Sequence, residues 1–414
     1  MILIKNNLKY LGIIGAFLFG FSLMASKSGM NIGLGLMIFC SIFYIKNFNI
    51  NKLEIEQKFL LVILILTPVF SLLSPGGKES FEIALKKAYR YFPIFFIPIF
   101  LTSERYIKIL IGFIYGTIII NFFNGILYYK NLNWNFKIRY QSFGNNLLDD
   151  AHMFTMLSFI VLGVLIYTIK EKKYKYFIIS LIVYLCDISG VLLGQSRGSW
   201  IALIGGIVLF FILLIKNKKL LLSIFFIIVI CSGILLKSGK LDNNYYINRF
   251  KSIKNISSDS PKIRILMWEG AIDTYKNNPI FGSGRDNSSK YILKYLEDNK
   301  KYEEVQNKYM LREIAKAGNP HNMYFSSISE EGILSLLLFS FWGFILLREI
   351  LFFKILKKED LFYYLMIGCI SLTFTFYLAG LTENAWRNIW KANVYLIGVS
   401  LFLSIRKIEN NIEG

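Results

Sequence analysis

Three side chains stand out against an otherwise apolar chain. They are Arg197 in Gly194-Gln195-Ser196-Arg197-Gly198-Ser199-Trp200, Arg264 four residues before Trp268, and His321 in Gly318-Asn319-Pro320-His321-Asn322-Met323-Tyr324. His321 is one of only two histidines in 414 residues, and it sits where the longest polar segment gives way to an apolar run. An imidazole at a boundary between water and hydrocarbon suits proton transfer, because it titrates near neutrality. The plainer reading is that His321 caps the following helix. A guanidinium held by a short hairpin at a membrane surface, as Arg197 is, can bind phosphate through two parallel hydrogen bonds. Equally, it can anchor the hairpin among lipid headgroups. Arg264 is a second outer cation, one turn from Trp268 and within reach of its indole face. Lys86, Lys87 and Arg90, spaced i, i+1 and i+4 near the outer end of an apolar run, either meet phosphate or snorkel. Arg139 precedes Phe143-Gly144-Asn145-Asn146 as a further outer cation.

Other chemistries lack their residues. The outer segments hold no Asp-x-Asp pair, no His/Cys/Asp cluster at ligand spacing and no glycine-rich phosphate loop with its lysine. Glu297-Asp298 and Glu303-Glu304 lie in a Lys-rich run and read as solvated surface. His152 reads as a boundary residue, and Asp187 as an intramembrane acid. Cys40, Cys186, Cys231 and Cys369 all fall inside apolar runs, so they suggest neither a disulfide framework nor a zinc site. Phosphate chemistry here would have to neutralise charge with arginine.

The elements that position these residues are membrane helices. The chain is 55% hydrophobic and 16% aromatic, with a mean hydropathy of +0.49. Apolar runs of roughly 18 or more residues recur, each long enough to cross about 30 Å of hydrocarbon. About twelve spans are expected, near 8–26, 29–46, 58–74, 83–102, 105–128, 150–169, 175–194, 199–215, 219–237, 324–347, 361–380 and 388–405. The first reads as a retained signal-anchor. The net charge of +20 is concentrated in short loops, such as Lys170, Lys172, Lys173 and Lys175, or Lys354, Lys357 and Lys358. Such loops are cytoplasmic, so the charge sets topology and does not signal nucleic acid. Both termini are then cytoplasmic, and segments 129–149, 238–323 and 381–387 lie outside. The division is 1–237 for nine spans, 238–323 for a large outer loop, and 324–414 for three spans and a tail. Within the loop, Ser258-Asp259-Ser260 and Pro261 start a helix that Asn277-Asn278-Pro279 stops. Ile265, Trp268, Ile272 and Tyr275 form its apolar stripe, and Phe281-Gly282-Ser283-Gly284-Arg285 follows as a tight turn.

Taken in order, three stretches resemble the O-antigen ligase/polymerase superfamily. They are Ser196-Arg197-Gly198-Ser199-Trp200, then Arg264-x3-Trp268-x2-Ala271 with Pro279-x2-Gly282-x-Gly284, then His321-Asn322-x-Tyr324 followed by Glu330-Glu331-Gly332. The resemblance covers mainly residues 190–335. It implies a GT-C-like, all-α polytopic bacterial inner-membrane glycosyltransferase of about a dozen helices, with one large periplasmic loop containing short helices. It also implies a donor glycan on undecaprenyl diphosphate, an acceptor such as lipid A-core, no metal or cofactor, and Arg197, Arg264 and His321 as the important polar groups. On this reading Arg197 and Arg264 bind the diphosphate and His321 is the general base, with Asn322, Lys86, Lys87 and Arg90 as further donor-binding candidates. The rivals are an O-antigen polymerase, a protein O-oligosaccharyltransferase, and a lipid or polysaccharide transporter. The segment 286–318 matches no motif.

Overall fold

The computed structural model describes residues 2–44, 53–143, 147–217, 219, 259–316, 320–356 and 358–413. The ninth expected span beyond Lys219 lies outside these residues, as do Cys231, Ser258, Gly318 and Asn319. Among the described residues every regular element is helical. Helices satisfy their own backbone groups, which a hydrocarbon surrounding demands.

Helices α1 (Ile2–Ser22) and α2 (Lys27–Tyr44) form a hairpin. They are followed by α3 (Ile55–Leu73), α4 (Gly77–Ala88), a 3-10 turn (Tyr89–Tyr91) and α5 (Pro93–Phe100). Next come α6 (Glu104–Asn131), α7 (Leu147–Lys170), α8 (Tyr174–Leu193) and α9 (Arg197–Leu214). The polar region contributes α10 (Asp259–Asn277), α11 (Ser288–Asp298), a 3-10 turn (Lys301–Glu304), α12 (Lys308–Lys316) and α13 (Met323–Glu331). The chain closes with α14 (Leu334–Ile355), α15 (Leu361–Gly380) and α16 (Ile389–Glu413).

Among the described residues eight helices are long and apolar enough to cross a membrane, namely α3, α6, α7, α8, α9, α14, α15 and α16. Helices α1 and α2 hold shorter apolar stretches, Asn7–Ser22 and Lys27–Phe43. The protein is an all-α polytopic membrane protein. Burial sorts its spans into layers: 94% of the apolar window of α16 is buried, 83% of α15 and 78% of α7, against 28% for α8, α9 and α14. Helices α7 and α15 cross closely because each presents a glycine. A Cβ on Gly163 would stand 2.5 Å from the Tyr364 carbonyl oxygen, and one on Gly368 would stand 2.5 Å from that of Phe159.

Two expected spans are interrupted. The run at 83–102 is not one helix: α4 ends at Ala88, and the eight residues of α5 rise only about 12 Å. The break falls at the 3-10 turn, and α5 restarts on Pro93, which has no N–H to donate back into the preceding turn. Inside α5, Pro98 leaves the Ile94 carbonyl without a helical donor, and Gln57 of α3 supplies one at 2.7 Å. The run at 324–347 breaks at Gly332, whose φ of +55° ends α13 before α14 begins.

At one end of the bundle, Glu359 pairs with both Lys170 and Lys216. At the other end α10, α11 and α12 share a second apolar cluster built on Ile263, Leu266, Met267, Ala271, Ile292, Leu296 and Leu311. The segment 286–318, which has no matching motif, thus supplies much of the packing for α10 in its described part. Helix α10 ends where Asn277-Asn278-Pro279 predict, its start adjoins Ser258 outside the described residues, and its core face differs from the expected stripe. Ile265 and Ile272 are 37% and 36% exposed. Both faces of α10 carry apolar residues, so periodicity alone does not choose between them.

Candidate active site

Helix α9 opens at Arg197. Ser196 caps it by accepting a hydrogen bond from the Ser199 amide at 3.3 Å. The preceding Gln195 has a φ of +49°, and its side-chain amide donates to the Phe136 carbonyl at 2.9 Å, tying the hairpin to the loop that carries Arg139. Gly198 is where α9 touches the turn 381–388: a Cβ there would lie 2.1 Å from Thr382 Oγ1.

His321 also has a left-handed backbone, with a φ of +49°, a conformation that costs a non-glycine residue energy and concentrates at functional positions. It is held from both sides. Trp268 of α10 donates from Nε1 to the Pro320 carbonyl at 2.8 Å and stacks on Phe325 with ring centroids 5.3 Å apart. Asn322 caps α13 by accepting from the amides of Tyr324 and Phe325 at 2.9 and 3.1 Å. Its Nδ2 donates to the Leu381 carbonyl at 3.0 Å. Asn322 is therefore spent on the cap and on the 381–388 turn. Because Trp268 faces Pro320 and Phe325, Arg264 reaches past it towards Glu383.

These elements enclose a cavity of about 200 Å³ lined by Arg139, Arg197, Arg264, His321, Thr382 and Glu383, among others. Arg197, Arg264 and His321, from three separate stretches of sequence, meet there. Glu383 is the residue the sequence reading missed. Its carboxylate is buried, with Oε2 3.5 Å from His321 Nδ1 and 3.5 Å from Lys391 Nζ, and Oε1 3.8 Å from Arg264 Nη2. Burial alone would push its carboxyl up, but Lys391 and His321 outweigh that and hold it well below the usual carboxylate range. Lys391 in turn lies 2.9 Å from Asp149 Oδ1. His152, 1% exposed on α7, lies within electrostatic reach of Lys391, Glu383 and Arg264. The signal for Glu383 and Asp149 was present but weak: each is a carboxylate at the outer end of an apolar run in a strongly basic chain.

The cavity concentrates three guanidinium groups against one carboxylate, which suits a doubly or triply charged anion. With its proton on Nδ1 towards Glu383, His321 keeps the Nε2 lone pair for a substrate proton. The Nδ1–Oε2 separation is long for a hydrogen bond, within the looseness common before substrate binds.

The third cationic cluster does not line this cavity. Lys86 pairs with Glu82 at 3.6 Å on the exposed face of α4, Lys87 pairs with Asp286, and Arg90 Nη1 donates to the Arg387 carbonyl at 3.3 Å. These last two stand at the rim of a buried ion network. Arg285 lies 2.5 Å from Glu331 Oε1 and donates to Tyr91 Oη at 3.2 Å, while Arg387 pairs with Glu330 and stands 3.8 Å from Glu331. Burial would raise the Asp286 carboxyl, but the Lys87 contact and the neighbouring guanidinium groups depress it. The glycine turn makes this network possible. A Cβ on Gly282, whose φ is +66°, would stand 2.3 Å from the backbone of Glu330.

Residues 182–340 match the family model described as O-Antigen ligase. That match supports the O-antigen ligase/polymerase superfamily. The matched segment runs from inside α8 to the first part of α14, so it contains Arg197, Arg264 and His321 and ends before Glu383 and Lys391. The chain is also similar to an uncharacterized protein of Haemophilus influenzae, 28% identical over 171 residues. That alignment covers 39% of this chain and 41% of the relative.

Proposed function

We propose that the protein is an O-antigen ligase of the bacterial inner membrane. It transfers a glycan from undecaprenyl diphosphate to a sugar hydroxyl of lipid A-core, without metal and with inversion. The convergence of Arg197, Arg264 and His321 on one cavity carries this reading; the superfamily match supports it. Both termini are cytoplasmic and the cavity opens to the periplasm, a topology supported by the basic loops at the opposite end.

In this reaction Arg197 and Arg264, joined by Arg139, hold the diphosphate and offset the charge that builds on it as the C1–O bond breaks. The acceptor hydroxyl oxygen attacks C1 from the opposite face. Its proton passes to His321 Nε2, and the bonding pair leaves with undecaprenyl diphosphate. Glu383 keeps the imidazole in the tautomer that can accept this proton and stabilises the imidazolium that results. Asn322 holds the His321 turn against Leu381 beside the cavity, and Lys86, Lys87 and Arg90 are further donor-binding candidates outside its lining.

The test is a lipopolysaccharide banding gel from cells lacking the gene, complemented with the wild-type chain or with Arg197→Ala. Loss of long-chain bands, with full-length glycan accumulating on undecaprenyl diphosphate, is the expected outcome. Single repeat units left attached to the core would assign polymerase activity. An unchanged banding pattern would overturn both and direct attention to a protein acceptor or to transport.

A further inference from the structure

We infer that Lys391 and Asp149 are positioning residues that act on His321 through Glu383, as a chain of alternating charges Asp149–Lys391–Glu383–His321. The inference rests on the assignment of His321 as base.

Lys391 stands two residues inside an apolar helix and is 2% exposed. A lone ammonium there is strongly disfavoured, so its two contacts define its position. Nζ lies 2.9 Å from Asp149 Oδ1 and 3.5 Å from Glu383 Oε2. Asp149 cannot turn freely, because Oδ2 accepts from Asn388 Nδ2 at 2.8 Å. Asn388 is itself fixed as the cap of α16: its Oδ1 accepts from the amides of Trp390 and Lys391 at 3.0 and 3.2 Å. One asparagine thus fixes the backbone of Lys391 and the carboxylate that Lys391 faces.

Glu383 divides its two oxygens between different cations. Oε1 faces Arg264, whereas Oε2 faces both Lys391 and His321. Rotating the carboxylate would break both Oε2 contacts together. The titratable and charged groups facing it come from four elements: His321 before α13, Arg264 on α10, Lys391 on α16 and His152 on α7. Asp149 and Glu383 are balanced by Lys391 and Arg264. Removing Lys391 leaves two buried carboxylates and one cation, and Oε2 loses the ammonium that holds it beside the imidazole. A purely structural staple would use the same contacts, but its loss would not be selectively coupled to Glu383.

The test is a double-mutant cycle on the purified, lipid-reconstituted full chain. Lys391→Met should lower kcat by roughly tenfold to a hundredfold with the donor KM little changed, and Lys391→Arg should restore most of it. The double variant Lys391→Met/Glu383→Gln should be no slower than Glu383→Gln alone, within about twofold. Costs that multiply would overturn the proposal, as would a Lys391→Met enzyme of normal rate. Should Lys391→Met fold poorly, Asp149→Asn takes its place in the same cycle.

A second readout needs no turnover. The chain has only two histidines, so ¹⁵N-histidine labelling gives two pairs of ring-nitrogen signals, assigned with His152→Gln. Wild-type neutral His321 should carry its proton on Nδ1, and Lys391→Met and Glu383→Gln should shift it alike towards mixed tautomers. An unchanged His321 signal in Lys391→Met overturns the inference. If the wild-type chain transfers no glycan, the proposed function fails while this measurement still decides the charge chain.

Discussion

His321 Nδ1 lies 3.5 Å from Glu383 Oε2, although 62 residues separate the two along the chain. The contact joins the turn before α13 to the turn between α15 and α16, and it does so beside three arginines. Everything proposed for the cavity depends on that pairing of an imidazole with a buried carboxylate.

Arg197→Ala should reduce glycan transfer by on the order of a hundredfold or more, the scale seen when one preorganised charge-stabilising group is removed. Arg197→Lys should recover little of the loss, since an ammonium cannot reproduce the two-point grip of a guanidinium. Steady-state transfer by enzyme in lipid nanodiscs measures both. Near-normal turnover by Arg197→Ala would remove this residue from the diphosphate site.

His321→Ala should keep donor affinity while losing transfer, because a general base contributes about a hundredfold to ten-thousandfold to the rate and little to ground-state binding. Equilibrium binding of labelled donor, set against single-turnover rates, separates the two. Donor binding lost in parallel with rate would instead make His321 a phosphate ligand.

Glu383 links the site to acid stability. Its folded-state pKa lies below the usual carboxylate range, so its contribution is fully present above the unfolded pKa and is lost as pH falls through the folded one. Glu383→Gln should therefore melt at lower temperature than wild type near pH 7, because Lys391 loses one of its two carboxylates. The gap should narrow as pH drops below about 4.5. A melting difference that is flat across this range would contradict the assignment.

Gly198→Ala should misplace Arg197, since the added methyl would meet Thr382 Oγ1 at 2.1 Å. The expected result is reduced transfer with a modest fall in melting temperature, and Thr382→Ala should restore part of the rate by making room. Failure of that second change to restore anything would show that the close approach is not what fixes the start of α9.

Gln57→Leu should destabilise the fold by about 1–3 kcal/mol by leaving the Ile94 carbonyl without a donor. Pro98→Ala in the same chain should recover part of this, because alanine returns the backbone N–H that proline lacks. Thermal unfolding of the single and double variants closes the cycle. Additive losses would mean that the Gln57 bond does not compensate for the proline.

The polytopic all-α class, most of the long spans, the C-terminal end of α10 and three of the cavity-lining side chains are readable from residue types and spacing. Each depends on short-range physics: apolar length against hydrocarbon thickness, capping chemistry, and proline or glycine as interruptions. Tertiary structure decided what depends on residues distant in sequence. Pro93 restarts a run that composition alone reads as one span, and Gln57 from another helix serves the Ile94 carbonyl that Pro98 leaves without a helical donor. Helix α10 has two apolar faces, and only the packing of α11 and α12 chose one. Charge and spacing single out Lys87 and Arg90, and only the fold shows that Asp286 and the Arg387 carbonyl engage them. Glu383, Asp149 and Lys391 carry at most a weak local signal. Their roles come from electrostatic pairing in a buried environment, where the energy depends on distance through space, and spacing along the chain does not record it.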